Sequence, residues 1–154
     1  MPINRRKLLV NSFGAGLVSL GAVKGNFAIA GDANPIAFAE LYKSVGPLGM
    51  VLSNRVTSLA GKPVEFMGFM APPLKPDSKF FVLTRTPVSV CPFCSSDADW
   101  PNDIVVIYLK GNNNFYRDGT LVKVVGKLEI GSKVDTVTGF VSLLRLADAS
   151  VVQA

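Results

Sequence analysis

Leu121-Val122-Lys123-Val124-Val125-Gly126-Lys127-Leu128-Glu129-Ile130 is the stretch on which the fold turns. Lys123, Lys127 and Glu129 fall on one parity and Val122, Val124, Leu128 and Ile130 on the other, the period of two of a half-buried β-strand. Working outward, four more short apolar runs are separated by turn residues. Val64 to Met70 ends at Ala71-Pro72-Pro73, and Lys79 to Arg85 ends near Pro87. Ile104 to Leu109 is apolar throughout, which suits a central strand buried on both faces, and the loop Gly111-Asn112-Asn113-Asn114 follows it. Phe140 to Leu146 is the last run, with a continuation into Ser150-Val151-Val152. Gly68 and Gly126 lie inside strands, where glycine marks a bulge or a sharp bend. Five short strands with internal glycines predict an all-β domain over residues 61–154, a small closed barrel of the oligonucleotide/oligosaccharide-binding (OB) type.

The segment before it, residues 31–60, is expected to be helical. Asn34-Pro35 has the form of an N-cap followed by proline at the first helical position, Phe38, Leu41 and Tyr42 follow at helical spacing, and Gly46-Pro47 stops the pattern. Leu48 to Leu59 fits a helix, while Met50-Val51-Leu52 within it fits a short strand equally well.

Residues 1–30 have the composition of an export signal. Asn4-Arg5-Arg6-Lys7 is a basic start, Leu8 to Val23 is a glycine-rich, mildly apolar stretch, and Ala28-Ile29-Ala30 supplies the small residues a signal peptidase requires. The paired Arg5 and Arg6 followed by two leucines resemble a twin-arginine signal, which implies the twin-arginine export machinery as a partner and cleavage after Ala30 into the periplasm. An ordinary secretory signal and an uncleaved anchor are the alternatives. The apolar stretch of 16 residues is short of the roughly 20 that span a bilayer. This segment holds four of the sixteen basic residues and no acid, so from Gly31 onward twelve basic face eleven acidic side chains, a net charge of +1 instead of +5. The basic footprint of a nucleic-acid binder is therefore absent from the folded part.

Cys91-Pro92-Phe93-Cys94 holds both cysteines, and the chain contains no histidine. Histidine-dependent nucleophilic catalysis and histidine metal sites are thereby excluded within one chain. No nucleophile-elbow, phosphate-loop or dinucleotide motif offers an enzyme in their place. Three readings of the cysteine pair stand open. It can be a reversible redox pair, although the acids of Ser95-Ser96-Asp97-Ala98-Asp99 disfavour a thiolate. It can be half of a site for a soft divalent metal such as zinc, completed by Asp97, Asp99 or Asp103, or by a second copy of the chain in a homodimer. It can be a structural disulfide, which an oxidising compartment favours. Trp100, beside this loop, is placed to cap a barrel mouth or to shield the cysteines from water.

Other residues have plainer expectations. Phe66, Met67, Phe69 and Met70 read as core filler, and Phe80, Phe81 and Tyr108 as buried core more than as stacking platforms. Asp135, Arg145 and Asp148 read as solvated or paired surface charges, with Arg145, in a strand, the one to check for a buried partner.

Gly68-Phe69-Met70-Ala71-Pro72-Pro73, Phe80-Phe81-Val82-Leu83, Cys91-Pro92-Phe93-Cys94, Asp99-Trp100-Pro101 and Asp135 with Thr138-Gly139-Phe140-Val141-Ser142 together resemble a family of uncharacterised bacterial exported proteins. The resemblance spans roughly residues 59–151. It implies a small OB-like barrel encoded beside ABC-type transporter components, with such a transporter as partner. Members carry a histidine near the cysteine that this chain lacks. The resulting expectation is an exported, non-enzymatic binding or accessory module. The alternative is a small thiol-disulfide or metal-delivery protein using Cys91 and Cys94.

Overall fold

Proline 63 opens the first long strand, and from there the apolar parity of the sequence dictates which way each side chain faces. The computed structural model describes residues 33–47, 49–74, 78–90, 96, 98, 100–111 and 115–154. Arg5, Arg6 and the Ala30 cleavage site lie outside the described residues, as do Cys91, Cys94, Asp97 and Asp99.

The elements in chain order are β1 (Asn34–Pro35), a 3-10 turn (Phe38–Glu40), β2 (Tyr42–Gly46), β3 (Gly49–Leu52), α1 (Asn54–Ser58), β4 (Pro63–Met70), β5 (Phe80–Thr84), β6 (Ile104–Leu109), β7 (Leu121–Val134) and β8 (Val141–Gln153). The fold is mostly β. Six strands form one mixed sheet in the order β1-β4-β5-β6-β8-β7, and β7 also pairs with β4. The β6–β8 and β1–β4 ladders are parallel and the others antiparallel. β2 and β3 make a separate two-stranded sheet.

All five expected strands are present with bounds close to those read from the sequence. In β7 the buried positions are Val122, Val124, Gly126 and Leu128, so the alternation does assign the core face. β7 and β8 run on to Val134 and Gln153, past the ends of the apolar runs. In β6, Ile104 to Ile107 are all buried, as expected of a central strand. The core gathers Phe66, Phe80, Phe81, Phe140, Leu41, Leu128, Leu144 and Leu146, each at most 2% exposed. Burial of each such side chain stabilises by about 1.5–3 kcal/mol.

The two internal glycines act differently. The β7 register shifts between Val125 and Lys127, so Gly126 sits at a bulge. At Gly68 the β4–β7 register is unbroken, and closeness is the constraint instead. A Cβ there would lie 2.7 Å from the Thr84 carbonyl oxygen and 2.9 Å from the Phe38 ring.

The N-terminal helical expectation is corrected. Asn34 and Pro35, expected to cap a helix, pair in parallel with Val64 and Glu65. Tyr42 lies in a strand, and the Phe38–Glu40 turn is the only helical piece between the two. The ambiguous 48–59 stretch contains both alternatives, with Gly49–Leu52 extended and Asn54–Ser58 helical. Ser53 caps that helix, its Oγ accepting the Val56 N–H at 3.2 Å. Leu41, Val56 and Leu59 are buried. Sealing the core fixes this segment, and helical propensity over so few residues is too weak to compete.

Candidate functional site at the root of the cysteine loop

β5 leaves the sheet at Thr84, and the reason is local. The buried Thr84 hydroxyl lies 2.7 Å from the Thr86 carbonyl and 3.2 Å from that of Phe69, which bends the chain away from β4. Pro87 then has no N–H to continue a ladder. The Arg85 N–H instead donates to the Asp103 carbonyl at 3.0 Å, joining the two ends of the connection from β5 to β6. This connection carries Cys91 and Cys94.

Trp100 ties the connection down a second time. It is 4% exposed, and its Nε1–H donates to the Tyr42 hydroxyl on β2 at 2.8 Å. Burial raises the Tyr42 pKa, and the bond from Trp100 partly opposes that rise. Of the expected site residues, then, Trp100 lies in the core against the β2–β3 unit, and Asp103 forms the neck of the loop. Among the described residues no three carboxylate or cysteine side chains converge on one point.

Arg85 also borders an open groove of about 600 Å³, lined by Pro35 to Glu40, Arg55, Glu65 and Met67. Sequence reasoning missed this groove. Phe66 and Met70 are core filler as expected, but Met67 has the opposite parity and is 52% exposed. That parity was the available signal. Most of the groove charges are matched. Arg55 Nε pairs with Glu40 at 3.4 Å and its Nη2 donates to the Pro35 carbonyl at 2.7 Å, while Glu65 pairs with Lys123 at 3.3 Å. The Arg85 side chain, exposed, has no hydrogen-bond or ion-pair partner among the described residues.

A second polar cluster occupies the β7–β8 turn. Asp135 Oδ1 accepts from Thr138 Oγ1 at 2.8 Å, from the Thr138 N–H at 2.9 Å and from the Val137 N–H at 3.2 Å. Tyr108 donates to Oδ2 at 3.4 Å. Burial pushes the Asp135 carboxyl up, but these four donors outweigh it and the net shift is downward. The Tyr108 phenol is pushed up to about 12, by burial first and by the Asp135 charge next. Arg145, read with the surface charges, is instead 7% exposed, and its partner is only half-buried: its Nε meets Glu129, 32% exposed, at 2.9 Å, and Nη1 donates to the Gly131 carbonyl at 2.7 Å. Asp148 is exposed, with a positive φ of 49°. The Asp135 bonds close the turn and the Arg145 bonds brace its root, so the arrangement is structural.

The fold so described defines a small, mostly β class with a mixed sheet. It is similar to the crystal structure of a DUF3299 family protein from Pseudomonas aeruginosa PAO1, with a TM-score of 0.55 and 13% identity over 80% of this chain and 97% of that one. At that identity the likeness is one of fold. No protein-family model matches the chain, and no curated protein sequence matches it.

Proposed function

We propose that this protein is an exported, periplasmic binding or accessory module whose cysteine loop takes a soft divalent metal or closes as a disulfide. In this reading residues 1–30 direct export through the twin-arginine machinery, and the folded domain works beside an ABC-type transporter. The domain itself is a closed OB-type barrel. Supporting that description is the ring of ladders β4-β5-β6-β8-β7 and back to β4, with its parallel β6–β8 pair.

The observation that carries the functional reading is the double tether of the loop root, Arg85 to Asp103 and Trp100 to Tyr42. A loop held at its base on a rigid sheet is the usual support for a binding site. The second reading, a thiol-disulfide or metal-delivery protein, uses the same two thiols.

One experiment separates them. The exported protein is purified anaerobically, its free thiols are counted, and bound metal and the reduction potential of the pair are measured. Stoichiometric metal that is lost in Cys91→Ser supports metal binding. A metal-free pair with a potential of about −120 to −200 mV, where exported oxidants lie, supports exchange. A metal-free disulfide below about −300 mV rejects both metal binding and exchange, leaving a structural staple.

A further inference from the structure

Along β4 the backbone groups of alternate residues point to opposite neighbours. Those of Met70 point toward the β7 side, where its N–H donates to Thr120 at 3.0 Å and its carbonyl accepts from Gly119 at 2.8 Å. Odd-numbered residues face the other way. The Glu65 carbonyl accepts the Ile36 N–H at 2.9 Å, the Phe69 carbonyl lies 3.2 Å from the Thr84 hydroxyl, and just past the strand the Ala71 N–H donates to Val82 at 2.9 Å.

Met67 lies between these, and among the described residues no strand pairs with it on that side. β1 stops alongside Glu65, and β5 pairs only from Phe69 onward because Thr84 bends the chain away. The Met67 N–H and carbonyl therefore face the groove with no partner among the described residues. Around this single open rung stand the Met67 side chain, the apolar wall of Pro35 and Ile36, and the Arg85 guanidinium, unpaired among the described residues.

We propose that this groove binds the C-terminal residue of a peptide ending in an apolar side chain. Its amide N–H donates to the Met67 carbonyl, one oxygen of its carboxylate accepts the Met67 N–H while the other meets Arg85, and its side chain lies against Met67 and Ile36. The Met67 carbonyl, which needs a donor beside the carboxylate, selects an acylated amino acid over a plain fatty acid. The unmatched cation selects a free carboxylate over an amide, because Glu40 and Glu65 are already paired. This inference does not depend on the cysteine loop, so either can fail without the other.

The test uses the full chain and three small probes, followed by calorimetry and by amide NMR shifts. N-acetyl-leucine binds and moves the Met67 amide, while N-acetyl-leucinamide and 4-methylpentanoate each bind at least tenfold more weakly. Arg85→Gln, checked for an unchanged melting curve, lowers affinity for N-acetyl-leucine at least tenfold. Lys127→Gln, which removes the same charge from an exposed site on β7, leaves it unchanged. Equal binding of the acid and its amide, or unaltered affinity in Arg85→Gln, overturns the carboxylate assignment. Equal binding of 4-methylpentanoate overturns the peptide assignment. Absence of binding at about 10 mM, or shifts confined to residues away from Met67, overturns the site.

Discussion

The indole N–H of Trp100 and the phenol oxygen of Tyr42 meet at 2.8 Å across 58 positions of sequence. Through this bond the β5–β6 connection and the β2–β3 unit hold one another in place. Tyr42→Phe removes the acceptor and leaves a buried indole donor unsatisfied, at a cost of about 1–3 kcal/mol. Urea unfolding followed by circular dichroism reads that loss. A variant as stable as the parent would mean that water or another group replaces the phenol without cost.

Arg145 makes a prediction of unequal partners. Arg145→Ala removes the bonds to the Gly131 carbonyl and to the Glu129 carboxylate, both of which water can reach, and leaves space where a buried side chain was, so about 2–3 kcal/mol of stability is lost. Lys133→Ala removes an exposed 4.0 Å contact to the same carboxylate and a cation–π contact to the Tyr108 ring at 5.3 Å, each worth at most about 1 kcal/mol. Paired denaturation curves decide this, and comparable losses in the two variants would contradict it.

The Tyr108–Asp135 pair sets both pH limits of the β7–β8 turn. Asp135 has a folded pKa below its ordinary 3.8, so its contribution is present above that value and is lost as pH falls through the folded pKa. Tyr108 has a folded pKa raised from 10.0 to about 12, so its contribution is complete below 10 and is lost as pH rises toward 12. Ultraviolet titration of the phenols should show one tyrosine ionising near pH 12. Tyr108→Phe should flatten the alkaline loss of stability, and Asp135→Asn the acid loss; an unchanged slope in either variant contradicts that residue's role.

Three glycines rank by the space around them. Gly68→Ala drives a methyl group into the Thr84 carbonyl and the Phe38 ring and costs about 1–3 kcal/mol. Gly126→Ala meets Ala147, Ala149 and Leu146 at 3.0 Å and is destabilising by less. Gly46→Ala meets nothing within 4 Å and stays within about 0.5 kcal/mol of the parent. Thermal melts give the order, and a Gly68→Ala protein as stable as Gly46→Ala would refute the close-approach reading.

How much of this was legible beforehand depends on the range of the determining interaction. The five long strands were legible because burial on one face forces a period of two, which propensity and turn residues bound at each end. Arg145 was marked for checking by its place in a strand but read as a surface charge, because neither its burial nor Glu129 is written in a local pattern. Met67, and to a lesser degree the half-buried Phe69, was hidden among Phe66 and Met70, where only parity separates an outward residue from the core. Asn34-Pro35 was misread because a cap and a strand edge can use the same residues. Here the free backbone groups beside Val64 and Glu65 outweighed a helix that local propensity alone could not sustain.

The sequence alone determined the mostly β character, the positions of the long strands, the absence of histidine chemistry, and the near-neutral charge beyond residue 30. Those properties follow from composition and from patterns a few residues long. The tertiary structure decided that β7 pairs with both β8 and β4, that Trp100 rests on Tyr42, and that β1 and β5 leave one rung of β4 open beside Arg85. Each of these joins segments tens of residues apart, and such contacts arise from closure of the whole chain, which no local pattern encodes.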